Sequence, residues 1–407
     1  MSSVLAPAPP LQKLLGTAVV QQAFSFFEAN AEAITEEPVL INSIAAPPFG
    51  EGQRAAYLQR RFSSLGLSDV HLDDEGNCVA SRRGISEQPL LVISAHLDTV
   101  FAADINLTPR RVGAKIFAPG IADDACGLIA LIAIAQAMHT TGLETVGSIL
   151  FVGTVGEEGE GNLRGVRHLF TKAEWADRVK AFISFDGAGL DRITNAALGS
   201  RRYRVRFSGT GGHSWSDFGI PNPISAAAIA IAKLGLYPAP TQPRTTFNVG
   251  RIEGGQSVNA IPREVSFDVD LRSASATELL KLDAFFRRAV REAVDEENAR
   301  RRVGTEPLTV ATNLLGERPS GETPANDPLV QLAVAATEAV GTNPRLDIAS
   351  TDSNFPISIG VPAITLGAGG TAANSHTLEE WFDPRDRAVA LKRALLVILG
   401  TVGVRER

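Results

Sequence analysis

Cysteine is nearly absent from this chain. Two residues, Cys78 and Cys126, are all that 407 positions hold, which excludes a disulfide scaffold, and neither sits in a C-x-x-C pair of the zinc-ribbon or redox kind. Long apolar runs are missing too. The longest candidate, GLIALIAIAQAM, falls short of the roughly 18 residues of a membrane span and has the length of a buried core helix. The opening MSSVLAPAPPLQKLL has no positive region followed by an apolar one, so it does not read as a signal peptide, and the cytoplasm is the expected location. A surplus of positive charge is lacking as well. The net charge of −6 argues against a nucleic-acid partner, because neutralising phosphates takes clustered Lys and Arg. Small-molecule or peptide chemistry is the class that remains.

What is present is a soluble globular composition, 44% hydrophobic and 21% charged, in a chain too long for one ordinary core. Residues 17–45 and 51–66 have helical apolar spacing, broken by PPFGEG. Short β-type runs follow in DVHLDD and CVASRRG, then a continuous buried strand in PLLVISAHLD. Helix 126–139, strand SILFVGTVG, helix 163–180 and strand AFISFDGAG come next. This alternation predicts a doubly wound α/β sheet with function at the carboxyl ends of its strands. Around residue 200 the style changes. YRVRFSG, helix 222–235, TFNVGRIEGG, EVSFDVDLRS, helix 275–298 and PLTVATNLL spell β-α-β-β-α-β, the ferredoxin-like order. From about residue 316 the α/β character returns, with helix 327–340, strand PAITLGAGG and helix 384–402. The expected organisation is a first domain in two parts, 1–199 and 316–407, with an α+β domain of residues 200–315 inserted into it.

Polar clusters gather where the strands end. His96 and Asp98 in SAHLDTV lie two apart and face one side. His96 alone would read as a hydrogen-bonded structural residue; Asp98 beside it supplies the group that steers a metal-bound imidazole. Asp123 and Asp124 precede a helix, where one aspartate is expected as an N-cap and the other is free to bridge metals. GTVGEEGEGNLRG crowds Glu157, Glu158 and Glu160 together, either as a solvated acidic loop or around a cation. Asp186 ends another strand, and His376 follows a glycine-rich turn. Two His and three carboxylates are what two zinc ions need when one carboxylate is shared. Glu157 is then left unligated beside Glu158, placed to take a proton from water and pass it to a leaving amine.

Taken together, HLD, GIADD, EE after a strand, FDG, GGHS, NAIPREVSFDVDLR and SHTLEEW resemble the co-catalytic di-zinc exopeptidases. That family includes peptidase T, bacterial glutamate carboxypeptidase, aminoacylase and succinyl-diaminopimelate desuccinylase. The resemblance implies two Zn2+ per subunit, with Co2+ or Mn2+ as substitutes: His96 and Asp186 on one ion, Glu158 and His376 on the other, and Asp123 bridging. It implies Asp98 as the orienter of His96, Glu157 as general base, and a cis peptide at 123–124. The inserted domain becomes a dimerisation or lid domain of a homodimer. His213 would reach an active site to hold the oxyanion, and Asn259 and Arg272 would hold the substrate. Asn259 is otherwise a turn cap and Arg272 an exposed strand charge. Gly369 and Gly370 either let backbone amides approach the substrate or only shape the turn.

Two departures bear on the substrate. Ala125 stands where many relatives have Lys, and the third carboxylate is Asp186 where carboxypeptidase and deacylase members have Glu. Aspartate in FDG resembles the peptidase T branch, which implies release of N-terminal residues from short peptides. The alternatives are a carboxypeptidase or N-acyl-amino-acid amidohydrolase on the same scaffold, and a non-catalytic binding or dimerisation module, against which the complete ligand set and Glu157 both count. Cys126 is expected to be buried and inert, since apolar surroundings disfavour its thiolate; His71, His139 and His168 have no partner motif and read as structural.

Overall fold

The computed structural model describes residues 11–405, so most of the opening segment inspected above for a leader lies outside the described residues. The chain divides into two compact units, one running to Ala197 and resuming at Glu322, the other spanning Leu198–Gly321. Before the insertion come β1 (Ser68–Leu72), β2 (Cys78–Arg82), β3 (Leu90–His96), β4 (Arg110–Val112), β5 (Lys115–Phe117), β6 (Ser148–Thr154), β7 (Val179–Phe185) and β8 (Arg192–Ala197). The inserted unit supplies β9 (Gly199–Ser208), β10 (Gly212–His213), β11 (Thr245–Gly254), β12 (Ala260–Ile261), β13 (Glu264–Ser273) and β14 (Thr309–Arg318). After them come β15 (Gly321–Glu322), β16 (Arg345–Ala349), β17 (Ala363–Leu366), β18 (Thr371–Ala373) and β19 (Trp381–Asp383).

The larger unit is built on a nine-stranded sheet in the order β1-β2-β6-β3-β7-β17-β8-β15, with β16 also paired to β8. Its centre, β6-β3-β7-β17, is parallel throughout. That follows from composition: every residue of β3 and of β6 is buried, as strands covered on both faces must be. The helix Ala125–Thr141 is apolar on nearly all sides and lies within the main core. It starts where the Asp124 side chain accepts from the Gly127 amide and stops at Gly142, whose φ of 62° ends it in the left-handed region.

Two helices differ from the sequence expectation. The single run 17–45 is two helices, Ala18–Ala29 and Ala31–Asn42. Asn30 separates them because its side-chain amide donates to the Phe26 carbonyl at 2.8 Å, satisfying the helix end and competing with continuation. The expected helix 163–180 covers only Arg164–Thr171. Val179 already belongs to β7, so the intervening residues must turn the chain. The four short strands β18-β19-β5-β4 form a separate sheet with no apolar alternation to announce it.

In the inserted unit, β11-β13-β9-β14 form an antiparallel sheet. Val205, Phe207, Phe267 and Leu271 from it share a core with Ala227 and Ala230 of helix Pro223–Leu234 and with Leu282 and Phe286 of helix Ala276–Ala299. The chain order is β-α-β-β-α-β, with β10 and β12 paired as a small extra ladder.

Candidate metal centre and active site

Register brings the site together. His96 pairs with Thr154, Ser94 with Ser184, and Leu366 with Phe185, so β3, β6, β7 and β17 all end along one edge of the sheet. His96 closes β3, Glu157 and Glu158 follow β6, Asp186 follows β7, and His376 follows β17 and β18.

Asp123 stands at the centre. One of its oxygens, Oδ1, lies 2.9 Å from Nε2 of His96, and the other, Oδ2, lies 3.1 Å from Nε2 of His376. Oε1 of Glu158 is 2.9 Å from that same nitrogen of His376. Nδ1 of His96 faces the Asp98 main-chain carbonyl at 3.0 Å, which fixes the ring and leaves Nε2 for the cluster. The Asp98 carboxylate, 3.7 Å from Nδ1, accepts the amides of Glu157 at 3.0 Å and Glu158 at 2.8 Å. Asp98 thus orients His96 mainly through its backbone, while its side chain holds the two glutamates in place.

The adjacent aspartates divide the work. Asp124 is fully buried, and its carboxylate accepts the amides of His96, Gly127 and Gly187, tying β3, the following helix and the loop after β7 together. The peptide between Asp123 and Asp124 is cis. Ligand atoms of His96, Asp123 and Glu158 lie within 4.8 Å of one another, as do those of His96, Asp124 and Asp186. Asp124 is occupied by three amides, whereas the Asp123 oxygens face the imidazole nitrogens of His96 and His376. Imidazole nitrogens and carboxylate oxygens at this spacing fit divalent metal ions of the zinc type.

The electrostatics show how crowded with charge the cluster is. Burial opposes ionisation of Asp123, yet hydrogen bonds from His376 and His96 hold its carboxyl well below the usual range. Burial disfavours the charged form of His96, but Asp123, Asp124 and Asp98 outweigh it and raise the imidazole well above its ordinary value. Hydrogen bonds to Asp123 and Glu158 push His376 up to about 10. Burial, then the Asp123 charge, pushes Asp186 up to about 6.

Glu380 is a site residue that the sequence reading passed over. It is fully buried, and its carboxylate accepts the amides of Gly120 at 2.9 Å, Ala122 at 2.8 Å and Asp123 at 3.1 Å. It therefore clamps the loop that presents Asp123, and burial pushes its carboxyl up to about 7. The only signal was its place in SHTLEEW, four residues beyond His376.

The remaining candidates are more scattered. Gly370 lines a cleft of about 370 Å³ with Asp123 and Asp186. The Gly369 amide is instead spent on the Gly189 carbonyl at 3.1 Å, because that pairing fixes the turn before β18, so the turn-shaping reading of Gly369 replaces the substrate-contact one. In the inserted unit His213 is exposed on β10; its Nδ1 accepts from the amides of Trp215 and Ser216, which leaves Nε2 as the protonated nitrogen of the neutral ring. Asn259 adjoins it, with its carbonyl accepting the Ser214 amide at 3.0 Å. Arg272 sits near the far end of β13 and bonds Asp270 at 2.6 Å, so the unit does not bring it beside His213 and Asn259. Glu160 is exposed. Ala125 is buried at the helix start, and Cys126 is buried with its thiol donating to the Ala122 carbonyl.

A mixed sheet whose parallel centre gathers imidazoles and carboxylates at its strand ends presents the donor set that a metal-dependent hydrolase uses. Residues 92–399 match Peptidase family M20/M25/M40, and the chain belongs to that family. It is an amide-bond hydrolase, and peptidases of the family bind a dinuclear metal site. It is similar to the uncharacterized protein YqjE of Bacillus subtilis, 25% identical over 357 residues that cover 84% of this chain and 91% of that one. To succinyl-diaminopimelate desuccinylase of Nitrosospira multiformis it is 27% identical over 375 residues, 86% and 92% of the two chains. Its fold matches that of the aminopeptidase PepT from Bacillus cereus with a TM-score of 0.74 at 22% identity, covering 91% and 99% of the chains.

Proposed function

We propose that the protein is a two-zinc exopeptidase that releases N-terminal residues from short peptides, with Co2+ or Mn2+ able to replace zinc. The observation that carries this reading is the pair Glu157 and Glu158: both are buried, both have their amides held by Asp98, and Glu158 faces His376. In this reading His96, Asp186, Glu158 and His376 would hold the ions, and Asp123 would serve both. Bound divalent ions supply polarisation of the amide carbonyl and make a nearby water acidic. Glu157 takes the proton of the attacking water and hands it to the departing amine.

His213, with its proton on Nε2, donates to the oxyanion from the partner subunit of a homodimer formed through the inserted unit. Asn259, Arg272 and the backbone of Gly370, which lines the cleft, hold the substrate. Asp186 in place of Glu, and the fold shared with an aminopeptidase, support the N-terminal choice. The desuccinylase relative supports the second reading, an amidohydrolase of N-acyl amino acids. No described helix is long and apolar enough to cross a membrane, which agrees with the cytoplasmic placement proposed here.

A substrate panel tests the reading. Tripeptides with free amino termini are expected to be cleaved fastest, with loss of the first residue and little turnover of N-acetylated forms. Preference for N-acyl amino acids over every free-amine peptide would replace it with the amidohydrolase.

A further inference from the structure

The cleft beside the cluster is lined by Asp123, Asp186, Gly370, Thr371 and Ser375 among others, and Arg192 is the one cation in its lining. Arg192 opens β8 and is only partly exposed. Its Nη2 donates to the main-chain carbonyl of Asp186 at 3.2 Å, a bond that positions the guanidinium without neutralising it. The neighbouring acid in the chain, Asp191, is engaged by Arg345 at 3.3 Å. Among the described residues no carboxylate forms an ion pair with Arg192, although the larger unit pairs Arg61, Arg164 and Arg345 with acids.

A half-buried guanidinium that is anchored by one hydrogen bond to a carbonyl acceptor, faces a cleft and lacks an acid partner is poised for an anion from outside. Its planar fork suits a carboxylate, which it can bind through two parallel hydrogen bonds. Apart from the two aspartates and Arg192, the cleft walls are small residues and hydroxyls, and its volume of about 370 Å³ suits an anion carried on a small molecule.

We propose that Arg192 is a specificity residue: it receives a carboxylate of the substrate whose amide lies over Asp123 and Asp186. This deepens the reading of the protein as a hydrolase of short peptides and rests on it. The carboxylate has two sources, the α-carboxylate at the C-terminus of a short peptide or an acidic side chain, and the proposal holds for the shared group.

The test compares metal-loaded wild type, Arg192→Gln and Arg192→Lys on matched compounds: trialanine and its C-terminal amide, then C-terminally amidated peptides carrying Glu or Gln. Wild type is expected to favour the member that carries the carboxylate. Arg192→Gln is expected to lower kcat/KM for that member by roughly ten- to a hundredfold, mostly through KM. The uncharged partner should change by less than about twofold, and Arg192→Lys should recover part of the loss. The first pair reads the terminal source and the second the side-chain source. Calorimetric binding of dialanine and of its amide to the same proteins gives a readout independent of turnover, and N-acetyl-alanine against its amide extends the comparison to the amidohydrolase. A carboxylate preference found only on N-acyl compounds would discard the peptidase reading and keep Arg192. An unchanged carboxylate-to-amide ratio in Arg192→Gln, equal losses on both members, or metal content below wild type by elemental analysis would each overturn the proposal.

Discussion

Nε2 of His376 lies 3.1 Å from Oδ2 of Asp123, although 253 residues separate the two in the chain. With the other Asp123 oxygen facing His96, this carboxylate joins the two imidazoles across the site. Without a metal, those imidazoles are held protonated, His376 up to about 10 and His96 well above its ordinary value. Metal ligation requires neutral imidazole, so ion uptake must release protons. The sign follows: metal affinity falls as pH falls, and protons appear in solution as metal binds. Titration of metal-free protein with Zn2+ in buffers of different ionisation enthalpy should show this release, and elemental analysis should find about two ions per chain. His376→Ala should hold fewer ions and lose activity.

Glu157→Ala is expected to keep its metal and its melting temperature while losing hydrolysis by at least about a hundredfold, the lower range for removal of a general base. Metal analysis together with steady-state rates on a cleaved tripeptide decides this. Retained full activity would exclude Glu157 as the base.

Asp98→Ala removes the acceptor of two amides, those of Glu157 and Glu158. Each unsatisfied buried amide costs about 1–3 kcal/mol, and the glutamates lose the support that aims them. Lower stability in denaturant and lower kcat are expected together, whereas Asp98→Asn, which keeps one acceptor oxygen, should lose less stability.

Glu380→Gln keeps the shape of the clamp but not its charge. Three amides from Gly120, Ala122 and Asp123 share that carboxylate, so the loop presenting Asp123 should loosen. Weaker metal retention against a chelator is the expected outcome, with Glu380→Ala more severely affected than Glu380→Gln.

Burial pushes the Cys78 thiol up to about 12 and raises Cys126 well above its ordinary value. A raised thiol pKa means less thiolate at a given pH, so native protein should label slowly with iodoacetamide between about pH 7 and 9. Unfolding should expose both cysteines at once, which a mass-spectrometric count would record.

The parts of this molecule that could be read from its sequence are those with a strong period or a dense motif. β3 and β6 are continuous apolar runs, and the helix after Asp124 is apolar with a cap before it and a glycine behind. That His96, Asp123, Glu158 and His376 would meet was readable because each lies at or close to the end of such an element, and one sheet edge collects them. The small sheet of β4, β5, β18 and β19 was hidden because three-residue strands carry no alternation. Glu380 escaped because its work is done on backbone amides more than 250 residues away, which no local pattern encodes. Asn30 broke a helix through its own side chain, against an apolar spacing that continued across it.

β17 occupies a place between β7 and β8, yet the chain reaches it only after the whole inserted unit. A ribosome that has delivered Asp186 and β8 has still to supply the strand that separates them, and His376 comes later again. The nascent chain therefore carries Glu157, Glu158, Asp123 and His96 with no finished sheet to hold them. Hydrolytic competence is set by the end of translation, so a truncation before β17 should yield a protein without the site and not merely a weaker enzyme.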